Sequence, residues 1–213
     1  MAAAYLHIPF CEHICFYCDF NKVFLEGQPV DEYVDALIKE MQLSKLLHPE
    51  ETLSTFYIGG GTPTTLNERQ LEKLLNGIRS TYSLPKSAEF TMEAHPESVS
   101  FETLKMMRDY GVNRLSMGVQ SFNNDILKKI GRIHTAEQVY TSVADARKAG
   151  FDNMTIDLIF RLPNQTMADF EDSLKKALEL DLPHYSIYAL ILENKTVFYN
   201  LMRQGKLPLP SED

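Results

Sequence analysis

Strand-like and helix-like stretches alternate along the whole chain, and that alternation leaves few folds open. Strand patterns cover Ala4–Ile8, Thr55–Ile58, Ala88–Ala94, Arg114–Val119, Asn153–Phe160 and His184–Leu190. Helix patterns lie between them. Val30–Leu47 carries Tyr33, Leu37, Ile38, Met41 and Leu46 at helical spacing. Asn67 with Gln70, and Thr135 with Gln138, have the spacing of capping boxes, and Thr166 reads as a third cap. The first of these helices turns Leu71, Leu74, Leu75 and Ile78 inward, and the last turns Phe170, Leu174, Ala177 and Leu178 inward. Ser100–Tyr110 stops at Gly111, Asp125–Lys129 is short, Gly150 ends the helix begun at Thr135, and Val197–Arg203 adds a last turn or two. Six βα units predict an α/β fold with a parallel sheet and covering helices. In such a sheet or barrel, ligand groups gather just after the strands.

The chain has 213 residues and can bury on the order of 70% of its unfolded surface. No linker or low-complexity tract interrupts it before Lys206-Leu-Pro-Leu-Pro210. A net charge of −8 argues against nucleic acid and against a polybasic membrane anchor. No apolar run approaches the roughly 20 residues of a transmembrane helix. The start, Met-Ala-Ala-Ala-Tyr, lacks a charged n-region, so no signal peptide is expected. Three cysteines in one loop cannot make a disulfide framework, which fits a reducing cytoplasm.

Those cysteines are the chain's only ones: Cys11-Glu-His-Ile-Cys15-Phe-Tyr-Cys18. Three thiolates so spaced can hold three irons of a [4Fe-4S] cube and leave the fourth iron open to a bound molecule. They can equally hold zinc with His7 or His13 as fourth ligand. Other candidates sit at strand ends. Gly59-Gly-Gly-Thr-Pro-Thr64 is either a tight βα turn or a place where backbone groups come close to a ligand. Glu93 and Gln120 read as buried polar residues satisfied by neighbours, or as groups for an amine or sugar hydroxyls. Arg132 reads as a solvated loop residue or a fork for a carboxylate. Asp157, inside Ile156-Asp157-Leu158-Ile159, is a core ion-pair member or a ligand group, because an unpaired charge there is costly. Of the six histidines, His7 and His95 lie near candidate site loops, whereas His48 and His184 look ordinary.

Taken together, Tyr5-Leu-His-Ile-Pro-Phe-Cys11 through Cys18, Gly59–Thr64, Arg114-Leu-Ser-Met-Gly-Val-Gln-Ser-Phe122 and Asp157-Leu-Ile-Phe-Arg-Leu-Pro163 resemble the radical S-adenosylmethionine (SAM) enzymes. Within these they resemble the oxygen-independent coproporphyrinogen III oxidases and their heme-chaperone relatives. The match runs from Tyr5 to about Thr196. The resemblance implies a partial (β/α)6 barrel with outer helices and the cysteine loop at its mouth. It implies that Cys11, Cys15 and Cys18 ligate a [4Fe-4S] cluster whose open iron is closed by SAM. It places Tyr5, Gly60, Gly61, Thr62, Glu93, Gln120, Arg132 and Asp157 among the SAM contacts, with Tyr17 over the same site. Such oxidases can hold two SAM molecules. One electron from the reduced cluster, delivered by an electron donor, splits SAM into methionine and a 5′-deoxyadenosyl radical, which abstracts hydrogen from substrate.

Departures from the oxidase pattern point to the chaperone branch, whose members bind heme and pass it to respiratory proteins. Asp19-Phe20 follows Cys18 where the oxidases carry Gly-Cys, and the cysteine motif begins almost at residue 1, without their longer N-terminal segment. Arg161 replaces a usual glycine, and His95 a usual Asn or Asp. The resemblance divides the chain into a radical SAM core, 1–205, and a tail, 206–213, leading to a C-terminal domain that is absent here. The alternatives are a coproporphyrinogen III dehydrogenase acting on porphyrinogen, and a zinc-stabilised binding module.

Overall fold

A computed structural model describes residues 2–49 and 52–210; Ser211–Asp213, the end of the expected tail, lie outside the described residues. Six parallel strands form one sheet, in chain order: β1 (Ala2–Ile8), β4 (Leu53–Gly60), β5 (Glu89–Ala94), β6 (Arg114–Gln120), β7 (Asn153–Phe160) and β8 (His184–Ala189). Between them run α1 (Val30–Leu47), α2 (Glu68–Thr81), α3 (Phe101–Asp109), α4 (Asn124–Lys129), α5 (Ala136–Ala149) and α6 (Met167–Glu179); α7 (Val197–Arg203) follows the last strand. β1 and β8 are the sheet's two edges, so the barrel is partial and open. Among the described residues no helix is long and apolar enough to cross a membrane.

The pleat sorts residues by parity. Phe56 and Ile58, Phe90 and Met92, Leu115 and Met117, Ile156 and Leu158 are buried in the main core. Their neighbours Tyr57, Glu93, Ser116, Asp157 and Ser186 line a cavity on the other, concave face. The register keeps these polar residues level: Glu93 is opposite Ser116, and Asp157 opposite Ser186. One sheet thus has an apolar face for its helices and a polar face for a ligand.

The helices form where capping and periodicity place them. Asn67–Gln70 and Thr135–Gln138 are full capping boxes, and Thr166 makes a third with Asp169. Leu71, Leu74, Leu75 and Ile78 are all fully buried. Two expected core residues face outward instead. Leu46 is 76% exposed, because it lies nine residues, about two and a half turns, from the buried Leu37. Leu178 is 65% exposed, because it stands one residue past the buried Ala177 and so about 100° off that stripe. Cys11 is in a strand rather than a loop. Phe10–Cys11 (β2) pairs with Val23–Phe24 (β3), closing the excursion that carries Cys15 and Cys18.

Candidate functional site

A cavity of about 510 Å3 lies between the cysteine excursion and the concave face of the sheet. Cys11, Cys15 and Cys18 line its mouth, all three with free thiols. Cys11 is buried, and burial pushes its thiol up despite the Thr62 hydroxyl beside it; burial does the same to Cys18. The excursion is pinned from below. The Phe16 N–H donates 3.0 Å to the Ile130 carbonyl, and the Phe16 carbonyl accepts 3.0 Å from Phe198 N–H. Gly131, at φ +80, lets the Phe16 ring approach: a Cβ there would lie 3.0 Å from the ring.

The three glycines after β4 are shaped by what crosses them. A Cβ on Gly59 would sit 2.7 Å from the Glu93 carboxyl, and one on Gly61 2.7 Å from the Phe10 carbonyl oxygen. Gly60 combines φ +122 with a His7 ring 2.6 Å from where its Cβ would be. The Gly60 N–H donates 3.0 Å to Glu93 Oε2, and the Tyr57 hydroxyl donates 2.8 Å to Oε1. Burial raises the Glu93 carboxyl, and these two donors only partly offset it. Asp157 is likewise raised by burial, with Ser186 hydrogen-bonding it. Burial and the neighbouring Glu93 lift the Tyr57 hydroxyl far above its ordinary value.

Gln120 ends β6 at φ 66, at an irregularity in the pairing with β7, and its side chain lines the cavity. Arg161, in the place of the expected glycine, takes φ 64, the left-handed conformation that a glycine adopts without strain.

Arg132 is 5% exposed, not solvated. It donates to the Gly118 carbonyl, lies 3.5 Å from Cys15 Sγ and reaches His95 Nε2 at 3.1 Å. Burial opposes its charge, but Tyr17, Cys15 and Glu97 more than compensate, so the guanidinium stays protonated. Thr62 Oγ1 is 3.7 Å from Cys11 Sγ and 3.3 Å from His95 Nδ1. Burial, then the Arg132 charge, pushes His95 down to about 4. The Tyr17 hydroxyl is pushed well up, by burial first and then by Cys15.

Of the candidates, Cys11, Cys15, Cys18, Tyr17, Gly60, Gly61, Glu93, Gln120, Arg132 and Asp157 come together on one cavity, and Thr62 sits directly behind Cys11. Tyr5 does not join them. It is 59% exposed on the edge strand β1, stacked on Tyr57 and hydrogen-bonded to His7. His7 turns Nε2 to the Asn21 carbonyl at 2.7 Å, while His13 lines the cavity. The candidate set lacked Tyr57, Ser116, Ser186 and Tyr188 on the concave face, and Glu97 and His134 behind it. A period-2 polar signal was present in the strands for the first group. Glu97 and His134 are far apart in sequence and carried none.

The donor set fits an iron–sulfur cluster with an amino-acid ligand. Three thiols from distinct backbone positions face a cavity with raised carboxyls, close-approach glycines and a buried guanidinium whose Nε has no partner among the described residues. No three His, Cys, Asp or Glu side chains among the described residues are gathered tightly enough to hold one metal ion.

Comparison with known proteins agrees with the geometry. The chain is 53% identical over 217 residues to the heme chaperone HemW of Bacillus subtilis, covering all of this chain and 56% of that protein. It is 38% identical to HemW of Escherichia coli, over 98% of this chain and 54% of the relative. The oxygen-independent coproporphyrinogen III oxidase of Salmonella typhimurium is 36% identical, over 86% of this chain and 40% of that one. The structure of coproporphyrinogen III oxidase from Escherichia coli superposes with a TM-score of 0.89 at 34% identity, covering 99% of this chain and 48% of the other. The chain therefore spans about half the length of the curated relatives it matches. Residues 5–177, which hold every strand end described above except that of β8, match the radical SAM superfamily, and the chain belongs to it.

Proposed function

We propose that this chain is the SAM-binding core of a heme chaperone, with Cys11, Cys15 and Cys18 as ligands of a [4Fe-4S] cluster. Membership of the superfamily implies the cluster and SAM. The observation that carries the residue assignment is the meeting of three free thiols with Glu93, Gln120, Arg132 and Asp157 on one cavity. The superfamily implies a cube, in which each thiolate binds a different iron, whereas zinc draws its ligands to one centre. When bound, the cluster supplies one electron for reductive cleavage of SAM.

The chain's own residues position and shield. Glu93, held by Tyr57 and Gly60, presents a carboxylate at a strand end to a ligand amine. Arg132 offers a permanent positive charge beside Cys15, suited to a ligand carboxylate. Asp157 and Gln120 supply polar groups on the cavity wall, and Ile14, Tyr17 and Phe20 of the cysteine excursion add apolar lining. Heme binding, an electron donor, delivery to respiratory proteins and a cytoplasmic location are proposed for a protein of the relatives' length, with residues 1–205 as its core and 206–213 leading out of it. The 53% identity to a heme chaperone favours this reading over the oxidase, and Asp19-Phe20 after the last cysteine agrees.

Anaerobic reconstitution with iron and sulfide tests the cluster. A broad visible absorption that bleaches with dithionite is expected, and Cys15→Ala should lose most of the iron; full iron in that variant refutes the ligand assignment. Incubation with SAM, reductant and coproporphyrinogen III tests the branch. No decarboxylation is expected, whereas a chain extended to the relatives' length should bind heme and show a Soret band. Multiple turnovers to protoporphyrinogen would overturn the chaperone reading.

A further inference from the structure

Behind the cavity lies a buried acid to which the proposed function gives no task. Glu97 follows β5 in the short turn Pro96–Ser98 and stands between two imidazoles. Its Oε1 is 3.5 Å from His95 Nδ1, and its Oε2 is 3.3 Å from His134 Nδ1. The His134 side chain is fully buried, and its other nitrogen, Nε2, lies 3.1 Å from the Val119 carbonyl oxygen. A carbonyl only accepts, so Nε2 carries a hydrogen. The facing Nδ1 and Oε2 are buried and have no other partner among the described residues. Two lone pairs cannot face each other there without cost, so a proton lies between them. Burial alone would raise the Glu97 carboxyl, but the two histidines and Arg132 outweigh it and hold it far below the carboxylate range. Glu97 and His134 are thus tied through that one shared proton.

The same carboxylate leads forward to the thiols. Arg132 Nη1 lies 3.1 Å from His95 Nε2 and 3.4 Å from Nδ1; the shorter contact makes Nε2 the acceptor and leaves the hydrogen on Nδ1, which faces Glu97 Oε1 at 3.5 Å and Thr62 Oγ1 at 3.3 Å. Thr62 is left to donate its own hydrogen to Cys11 Sγ, and Arg132 donates to Cys15 Sγ. A chain of polar contacts thus joins one carboxylate to two of the three sulfurs.

We propose that Glu97, locked to His134 by that proton, is a positioning residue: through His95 it holds Arg132 and Thr62 on the sulfurs of Cys15 and Cys11. The inference rests on the cluster reading above. Hydrogen bonds onto cluster sulfurs stabilise the more negative, reduced state, so the network raises the midpoint potential of whatever cluster the thiols hold. Glu97→Gln keeps the shape, accepts from His95 and donates to His134 Nδ1. Glu97→Ala breaks both links. His134→Gln keeps a donor near the Val119 carbonyl but loses the link to Glu97.

The test is redox titration of the anaerobically reconstituted chain, with iron and sulfide counted in each variant. Glu97→Ala and His134→Gln should keep full iron and show lower midpoints, while Glu97→Gln stays near the parent value. A parent-like midpoint in Glu97→Ala at full iron overturns the inference, as does a Glu97→Gln midpoint as low as that of Glu97→Ala. Nitrogen-15 spectra of the histidine rings in the iron-free chain give an independent readout. They should show His134 Nδ1 hydrogen-bonded in the parent and without that bond in Glu97→Ala. If the parent takes up no iron, the cluster reading fails by itself, and a His134 Nδ1 with no hydrogen bond still sinks the proposed lock.

Discussion

Single atoms decide how close a ligand can come to this site. A methyl on Gly59 would occupy the space of the Glu93 carboxyl, 2.7 Å away, and something must shift. Gly59→Ala should push Glu93 off the Gly60 N–H and destabilise the chain by about 1–3 kcal/mol, as overpacking does. SAM affinity measured by calorimetry should fall while bound iron is retained; unchanged affinity would reduce the glycine run to a turn. His95 sets a pH dependence of its own. Its folded value of about 4 lies below the ordinary 6.5 because it is buried neutral against Arg132, with Glu97 and His134 behind it. The unfolded chain then binds the extra proton more readily, so the stabilisation is complete above pH 6.5 and is lost as pH falls toward 4. The loss is on the order of 3 kcal/mol. Urea melts at pH 7 and pH 5 should differ more for the parent than for His95→Asn. At this scale the sequence showed which residue types stood at strand ends but not their environments. Arg132 read as well as a solvated loop residue as a ligand group, because its partners Cys15, His95 and Gly118 come from other elements.

Elements were more legible than sites, where local chemistry decides them. The periodicity of Val30–Leu47 and Val197–Arg203 predicts both helices with the bounds they have, and Asn67 and Thr135 start theirs through side chains three residues apart. Thr135 also follows directly on His134, so its cap fixes the loop that carries Arg132. Thr135→Ala should cost about 1 kcal/mol, seen as a lower urea midpoint with an unchanged slope; a change in slope would mean that the loop, not just the cap, had come apart. What stayed hidden was β2 with β3. Each is two residues long, too short for any period to show, and they are joined only by pairing between Phe10 and Val23 and between Cys11 and Phe24. The pairing that brings Cys11 into a strand is thus invisible to a reading of local pattern.

The whole molecule is a sheet with two open edges, and β8 exposes large apolar side chains. Ile187 and Tyr188 are 45% and 56% exposed on it, and Ile191 just beyond is 67% exposed. An uncovered edge of this kind invites pairing with another chain. Light scattering over a range of concentrations should show association, reduced by Ile187→Lys; a clean monomer throughout would count against it. The βα alternation made this open sheet legible as a class, since strand order follows chain order. That order also fixes a timetable. Arg132 lies 117 residues after Cys15. At about 5–20 residues per second, synthesis leaves the thiol without its guanidinium for roughly 6–23 s. The cysteines leave the ribosome before the groups that enclose them. On stalled nascent chains, an alkylating probe should label these thiols quickly when the chain ends before Gly131 and slowly once α5 has emerged; equal rates would mean that the excursion folds without its later partners. The thiol pocket is in this sense assembled late, and its raw material waits in the open while its partners are made.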